Sequence, residues 1–387
     1  MRTSAFLYPW DVNGDPDAPS RTVDLGVQQV TLAAAYHSTR ALTPRHPRHR
    51  IVTARHSAVL YEPDPAHWAG HRIRPNPAGE WAPGRAYERA AEALAATGLA
   101  VHTWVVLAHN SRLGFEHPDG CVINAYGDRY TWAPCIARPE VRTFLTVLAA
   151  EAAVRPGAAG TELESCGWYG LAHLHAHDKI AGVVLGDTAQ YLMSLCFCAS
   201  CFEGYARQDL DPYRLAASVR AALETAWRGD TSPQVGIEQL LGAELTAATL
   251  DFRTRTARSF QEEVVAAVRA AAPDGFQVLL HADPVAYHCG ANVGVDPAHV
   301  LSVADGVVVP CTDGPQLLKP FVDLRRAGSV IAANVTVVSG MGGRPQTLAE
   351  DLARAEEAGA TQARLYHAGL ASDADLAHVA AALAQAE

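Results

Sequence analysis

One stretch of the chain, Thr161–Tyr205, brings together side-chain types that do chemistry in enzymes. Glu164 ends a short strand-like run near its start. The polar loop that follows contains three alternating histidines, His173, His175 and His177. The end of the stretch contains three closely spaced cysteines, Cys196, Cys198 and Cys201. A carboxylate at a strand end, a polar loop over it and a thiolate cluster behind it predict an active-site segment with its own structural metal.

The three cysteines have the spacing C-x-C-x-x-C, which lets thiolates from a loop and the first turn of a helix bind one tetrahedral ion. Cys135, just before a predicted helix, is the expected fourth ligand, with Cys121 and Cys166 as weaker substitutes. Because four thiolates leave no open coordination position, the expected cofactor is a structural Zn²⁺ that does no chemistry. The alternative is that these cysteines are buried, free and packed as small apolar residues.

Carboxylates at predicted strand ends point to glycoside hydrolysis, which needs one protonated carboxyl to donate to the leaving oxygen and a second carboxylate as nucleophile or base. Glu164 is the preferred general acid, because the apolar flank of its strand favours the protonated form. Asp283 and Asp313 are the candidates for the second carboxylate, with capping of a helix or turn as their alternative role. The adjacent Glu162 is interpreted as an outward-facing residue.

Other polar and aromatic residues near strand ends are predicted to bind a sugar. Imidazoles at such positions bind hydroxyls, act as acid or base, or ligate a metal, and aromatic faces stack on sugar rings. The alternative for Arg40 and Asn110 is a role in a turn or a helix start. The predicted substrate-binding residues are Asp11, His37, Arg40, His109, Asn110, Trp168, His173, His281, Asn334 and His367.

These residues need a scaffold that brings strand ends together. Short apolar runs alternate with longer segments of helical period, which is typical of βα units on a parallel sheet. The predicted strands are Ala5–Asp11, Gln29–His37, Ala100–Asn110, Gly160–Glu164, Phe276–Asp283, Ala304–Thr312, Ser329–Val338 and Thr361–His367. The predicted helices are Arg85–Thr97, Pro139–Ala153, Tyr213–Arg228, Glu244–Ala272, Pro315–Ala327, Thr347–Ala358 and Asp373–Gln385.

Eight such units predict an α/β fold, a single (β/α)8 barrel domain over residues 1–387. An ordered excursion over His46–Pro83 follows the second strand, and the metal site follows the fourth. A doubly wound open sheet is the alternative, but no glycine-rich nucleotide fingerprint follows the first strand.

Composition and charge limit the classes of binding partner and the cellular compartment that we expect for this protein. The net charge of −10 is spread without a basic block, which argues against nucleic-acid and membrane partners. The start of the chain has no apolar signal core, so we expect a cytoplasmic protein. The expected partner is a small-molecule carbohydrate substrate, and a homo-oligomer is left open.

The cysteine pattern resembles that of glycoside hydrolase family 42, the zinc-containing β-galactosidases, over roughly residues 100–205. In that family a C-x-C-x-x-C cluster follows the fourth barrel strand and a further cysteine lies upstream, here Cys135 with Pro139 and Arg142 after it. The resemblance implies a (β/α)8 barrel and retaining hydrolysis by two carboxylates. The family's acid/base follows an Asn, whereas Glu164 follows Leu163. The family's nucleophile is a Glu ending the seventh strand, where this chain has Asn334 and no acid.

The sequence therefore predicts a glycosidase-like hydrolase that cleaves a glycosidic or related sugar-derivative bond. The first alternative is a barrel isomerase, lyase or hydrolase whose catalytic metal is held by the loop histidines. The second is a barrel that binds a sugar without turning it over, which the missing acid on the seventh strand keeps open.

Overall fold

The computed structural model describes residues 1–171, 178–229 and 235–385. Eight parallel strands form a closed barrel, because each pairs with the next along the chain and the last pairs with the first. The barrel strands are β1 (Arg2–Leu7), β2 (Gln29–Tyr36), β3 (Ala100–Val106), β4 (Ala158–Glu164), β5 (Gln277–Asp283), β6 (Gly306–Pro310), β7 (Val330–Thr336) and β8 (Gln362–Tyr366). The predicted (β/α)8 barrel is confirmed.

Helices cover the outside of the barrel, so its strands are buried on both faces and read as continuous apolar runs. All eight residues of β2 are buried, for example. The α-helices are α1 (Pro9–Val12), α2 (Ala18–Val23), α3 (Ala86–Ala95), α4 (Ser111–Glu116), α5 (Pro139–Ala153), α6 (Asp187–Met193), α7 (Ala199–Ala206), α8 (Pro212–Trp227), α9 (Ile237–Leu241), α10 (Ala243–Ala271), α11 (Pro297–Val303), α12 (Lys319–Val322), α13 (Leu348–Glu357) and α14 (Asp373–Ala384).

Proline explains two differences from the predicted elements. The first strand ends at Leu7 rather than Asp11, because Pro9 opens helix α1, where its missing N–H costs nothing. The single helix predicted over Pro315–Ala327 is wrong. A 3₁₀ turn at Gln316–Leu318 leads into the short α12, which has Pro320 in its first turn.

Two antiparallel hairpins extend the barrel on the side where the strands end. Thr39–Leu42 pairs with Ile51–Ala54 in the excursion after β2. Cys121–Ile123 pairs with Arg129–Pro134 after β3. Short strands at Ala58–Val59 and Val293–Gly294 pair with β2 and β5. None of the helices in the described ranges has the length and apolar character needed to cross a membrane.

An ionic floor, formed by Thr31, His102, Glu162 and Arg364, fills the lower barrel interior. Arg364 Nε donates to Glu162 Oε1 over 2.5 Å, and Thr31 Oγ1 donates to the same oxygen over 3.0 Å. Glu162 is fully buried, so the prediction that it faces outward is wrong. Side chains two residues apart on a strand share a face, and Glu162 therefore points inward with Glu164.

The charge state of the floor follows from these contacts. Burial alone would raise the pKa of Glu162, but Arg364, His281 and His102 lower it to about 2. Burial lowers the pKa of His102 to about 4. The floor therefore carries an ionised glutamate against an arginine, with His102 neutral.

Candidate active site

A cleft of about 980 Å³ opens where the barrel strands end. Its lining includes residues from the C-terminal ends of β2, β4, β5, β7 and β8, which is where barrel enzymes hold their chemistry. The predicted site residues that line it are His37, Arg40, His109, Glu164, His281, Asp283 and Asn334. The barrel thus brings together side chains that are far apart in the sequence.

Glu164 lies at the end of β4 and is 7% exposed. The indole Nε1 of Trp104 donates a hydrogen bond to its Oε2 over 2.8 Å. Trp104 projects from the neighbouring strand β3 and is itself buried, so it fixes the carboxyl in one orientation. The structure therefore holds Glu164 by one polar partner at the cleft.

Three tyrosines, Tyr8, Tyr36 and Tyr366, line the cleft with Glu164. The hydroxyl of Tyr8 donates to that of Tyr36 over 3.1 Å. Burial and the nearby acidic groups, Glu164 among them, raise the pKa of all three, so the hydroxyls stay neutral. Neutral hydroxyls and aromatic faces are suited to a polar, uncharged ligand such as a sugar.

Asp283 is the last residue of β5, and each of its carboxylate oxygens has a hydrogen-bond partner. Its Oδ1 accepts from the backbone N–H of Val285 over 2.8 Å, and its Oδ2 lies 2.9 Å from Nδ1 of His288. Nε2 of His288 lies 3.6 Å from Oδ2 of Asp187, at the start of α6. The hydrogen bond to Asp283 and the charges of both carboxylates raise the pKa of His288, against burial.

Histidines form much of the remaining cleft wall. His37 stacks on Tyr36 with ring centroids 4.1 Å apart, and His109 stacks on Tyr169 at 4.2 Å. His281 is 3% exposed and places Nε2 3.4 Å from Oε2 of Glu162 in the ionic floor. It therefore connects the floor to the cleft.

Four cysteines form a buried cluster apart from the cleft. The Sγ atoms of Cys135, Cys196, Cys198 and Cys201 all lie within 4.8 Å of one another. Cys135 Sγ is 3.7 Å from Cys201 Sγ and 3.7 Å from Cys198 Sγ. Thiolates bound at about 2.3 Å around a tetrahedral ion stand about 3.8 Å apart. The four side chains therefore fit a metal ion, and Cys135 is the fourth member of the cluster.

No protein-family model matches the chain, and no curated protein matches it by sequence. Solved structures do match it. The α-L-fucosidase isoenzyme 2 from Paenibacillus thiaminolyticus has a TM-score of 0.60 at 12% identity, and the match covers 100% of this chain and 49% of that one. The β-galactosidase from the psychrophilic Marinomonas ef1 has a TM-score of 0.58 at 11% identity, with coverage of 100% and 59%.

A third structure, the PgaB (BpsB) glycoside hydrolase domain from Bordetella bronchiseptica, has a TM-score of 0.56 at 14% identity and coverage of 99% and 97%. The chain thus spans about half the length of the first two structures and nearly all of the third. At these identities the likeness shows a shared barrel fold. The resemblance to glycoside hydrolase family 42 stays a prediction.

Several predicted site residues, including the catalytic candidate Asp313, lie outside the lining of the cleft. Trp168 is buried and stacks against Arg253 of α10, whose guanidinium lies 4.8 Å from its ring centroid. The Asn110 side chain accepts from Leu113 N over 2.9 Å and caps α4, which is its alternative role. Asp313 is exposed beyond the end of β6. His173, His175 and His177 lie outside the described residues, so the histidine-loop metal site is untested.

Asp11 and His367 also lie beside the cleft rather than in its lining. Asp11 lines a separate small cavity with Arg45, and its Oδ2 accepts from Tyr8 N over 2.8 Å. Burial raises the pKa of Asp11 to about 7, opposed by that hydrogen bond and by Arg45. His367 is fully buried and stacks on Tyr8 at 4.2 Å, and burial lowers its pKa to about 3.

Sequence reasoning missed His288 and the role of Trp104. His288 follows Asp283 by five residues, and this short spacing was the available signal. Asp187 is the first residue of α6, with Gly186 at the N-cap position, and this helix ends before the cysteines. Asp187 therefore faces the cleft with Gln190 of the same helix.

Proposed function

We propose that this chain is a glycoside hydrolase-like enzyme that cleaves a glycosidic or related sugar-derivative bond in the cleft. The observation that carries the proposal is Glu164, a carboxyl at the end of β4 that lines the cleft and is oriented by Trp104. The similar barrels support it, since they include an α-L-fucosidase, a β-galactosidase and a glycoside hydrolase domain.

The two carboxylates have different roles. Glu164 is the general acid that donates a proton to the leaving oxygen. Asp283 is the second carboxylate that the reaction needs, and it acts on the side of the attacking group. Asp283 is preferred over Asp313 because it lines the cleft whereas Asp313 does not. The tyrosines, His37, His109 and Asn334 bind sugar hydroxyls around the reacting bond.

The test of Glu164 is the dependence of rate on the leaving group. A general acid matters most when the leaving oxygen is a poor leaving group, so Glu164→Gln should slow alkyl glycosides and disaccharides by about 10²–10⁴-fold. The same substitution should slow 4-nitrophenyl glycosides much less. Asp313→Asn, outside the cleft, is the matched control and should keep wild-type rates. Equal losses for both kinds of leaving group would contradict the assignment.

We also propose that the cysteine cluster holds a structural Zn²⁺. Four thiolates close the coordination sphere, so this ion would hold the loop before α7 to the start of α5 and take no part in hydrolysis. Because cysteines that bind a metal rather than form disulfides are typical of a reducing compartment, we also propose a cytoplasmic location.

Metal analysis before and after mild chelation checks the zinc site. We expect one tightly bound zinc per chain, lost in Cys198→Ser together with a lower melting temperature. Cys311→Ser, a buried cysteine outside the cluster, should keep the metal. A metal-free wild-type protein would contradict the site.

A non-catalytic sugar-binding barrel is the second candidate. It is favoured by Asn334 on β7, an uncharged side chain that lines the cleft with a buried Oδ1 lacking a hydrogen-bond partner in the described parts of the chain. This candidate predicts that wild type and Glu164→Gln bind a saccharide equally well, as measured by calorimetry, and that neither hydrolyses it.

A further inference from the structure

The contacts of Asp283 argue against its direct attack on a sugar. A carboxylate nucleophile needs a free oxygen aimed at the anomeric carbon. Oδ1 accepts from the backbone N–H of Val285, and Oδ2 lies 2.9 Å from Nδ1 of His288. Both oxygens are therefore engaged in orienting other groups.

His288 is the group that Asp283 orients. An ionised carboxylate at Nδ1 accepts a proton from that nitrogen, which leaves Nε2 of the neutral ring as an acceptor. Nε2 is buried and lies 3.6 Å from Oδ2 of Asp187, too far for a hydrogen bond, so it has no hydrogen-bond partner in the part of the chain that the structure describes. The side chain is 30% exposed and lines the cleft. A carboxylate at one ring nitrogen and an acceptor nitrogen without a hydrogen bond on the other side are the arrangement of a general base with its orienting group.

We propose that His288 is the catalytic base of this enzyme and that Asp283 is its positioning residue. This proposal rests on the proposed glycoside hydrolysis. A water oxygen forms the new bond to the anomeric carbon and gives its proton to Nε2 of His288. The bond from that carbon to the leaving oxygen breaks, and Glu164 protonates the leaving oxygen. Proton exchange with solvent then restores neutral His288 and protonated Glu164.

Two consequences follow from the water attacking directly. The product sugar has inverted configuration at the anomeric carbon, because no covalent sugar–enzyme intermediate forms. Asp187, whose carboxylate is 70% exposed, lies 3.6 Å from Nε2 and must rotate away to admit the water.

The base also predicts a pH dependence. The titratable groups that face His288 are Asp283, Asp187 and Tyr287. Both carboxylates favour the charged ring, and the pKa of His288 is raised from its usual value. Because only the neutral ring can take a proton, the rate should rise with pH through this raised pKa. Asp283→Asn should move that limb to lower pH and reduce kcat, whereas a purely structural role would leave the limb unchanged.

The experiment combines product stereochemistry with variants of His288. Proton NMR of the first sugar released should show the inverted anomer. His288→Gln should reduce kcat by about 10²–10⁴-fold and abolish the low-pH limb, with KM changed little. His299→Gln, a histidine on α11 outside the cleft, is the matched control and should keep wild-type rates.

The contrary outcomes separate the two proposals. Retained configuration, or an active His288→Gln beside an inactive Asp283→Asn, would make Asp283 the direct nucleophile and overturn the base alone. A wild-type protein without activity on any glycoside would overturn the proposed function and the base with it. Nitrogen NMR of the ring gives a measurement independent of turnover: a neutral His288 with its proton on Nε2 would contradict the base.

Discussion

Glu162 and Glu164 are two residues apart on one face of β4, yet their surroundings differ. Glu162 lies in the ionic floor, fully buried, with Arg364, Thr31 and His281 around its oxygens. Glu164 lies at the cleft with Trp104 as its hydrogen-bond donor. A glutamate therefore stabilises the fold in the floor of the barrel, and a second glutamate two residues later is available for chemistry at the cleft.

Buried polar atoms without a hydrogen-bond partner among the described residues occur in both regions, and in the floor they include Oε2 of Glu162 and Nη2 of Arg364. At the cleft, Oδ1 of Asn334 and Nε2 of His288 are buried without hydrogen bonds among the described residues. A buried polar atom without a partner costs about 1–3 kcal/mol, so such atoms call for an explanation. A ligand that supplies the missing hydrogen bonds is the explanation that fits the cleft.

Breaking the floor should have the largest effect on stability. Arg364→Met leaves the Glu162 carboxylate buried without its cation, which should lower the free energy of unfolding by about 3–5 kcal/mol. Glu164→Gln keeps an acceptor for Trp104 and should change it by less than about 1 kcal/mol. Urea unfolding of the two variants beside wild type measures both values. A similar loss of unfolding free energy in both variants would contradict the proposed difference between the floor and the cleft.

Acid should weaken the floor next. The pKa of Glu162 is depressed from 4.5 to about 2, so its contribution is full above pH 4.5 and is lost as pH falls towards 2. The contribution is roughly 3 kcal/mol at most, by about 1.4 kcal/mol per pH unit. The free energy of unfolding, measured with urea, should fall as pH is lowered from 6 to 3. Arg364→Met should reduce the slope of that fall against pH. An unchanged slope in that variant would place the acid-sensitive group elsewhere.

A cap outside the cleft should show the smallest effect. Asn110→Ala removes the acceptor for Leu113 N at the start of α4 and should cost about 1 kcal/mol of stability. Because Asn110 does not line the cleft, kcat and KM for any substrate should stay at wild-type values. Asn110→Asp, which keeps the cap, is the control for stability. A lower kcat in Asn110→Ala at unchanged stability would return Asn110 to the substrate site.

Local patterns in the sequence were enough to predict the barrel and part of the site. Apolar β-branched runs mark strands that are buried on both faces, and the C-x-C-x-x-C spacing marks a cluster whose members lie close in the chain. Glu164 was predicted because a strand end in a barrel faces the cleft. Each of these signals depends on a few neighbouring residues.

Long-range contacts explain what the sequence did not predict. Glu162 faces inward because it shares a strand face with Glu164, a local alternation that the prediction overlooked. What no local pattern shows is its partner Arg364, which lies 202 residues away in the chain. Trp168 is kept from the cleft by Arg253 on α10. His288 reaches Asp283 through a loop conformation that depends on packing beyond the loop itself.

The central claim is that the cleft around Glu164 hydrolyses glycosides, and one paired measurement tests it most directly. Wild type and Glu164→Gln are compared for hydrolysis of a panel of disaccharides, with the unfolding free energy of each protein measured under the same conditions. We predict a loss in kcat of at least about 10²-fold with unfolding free energy unchanged within about 1 kcal/mol. Equal rates in the two proteins, or a rate loss explained by unfolding, would contradict the claim.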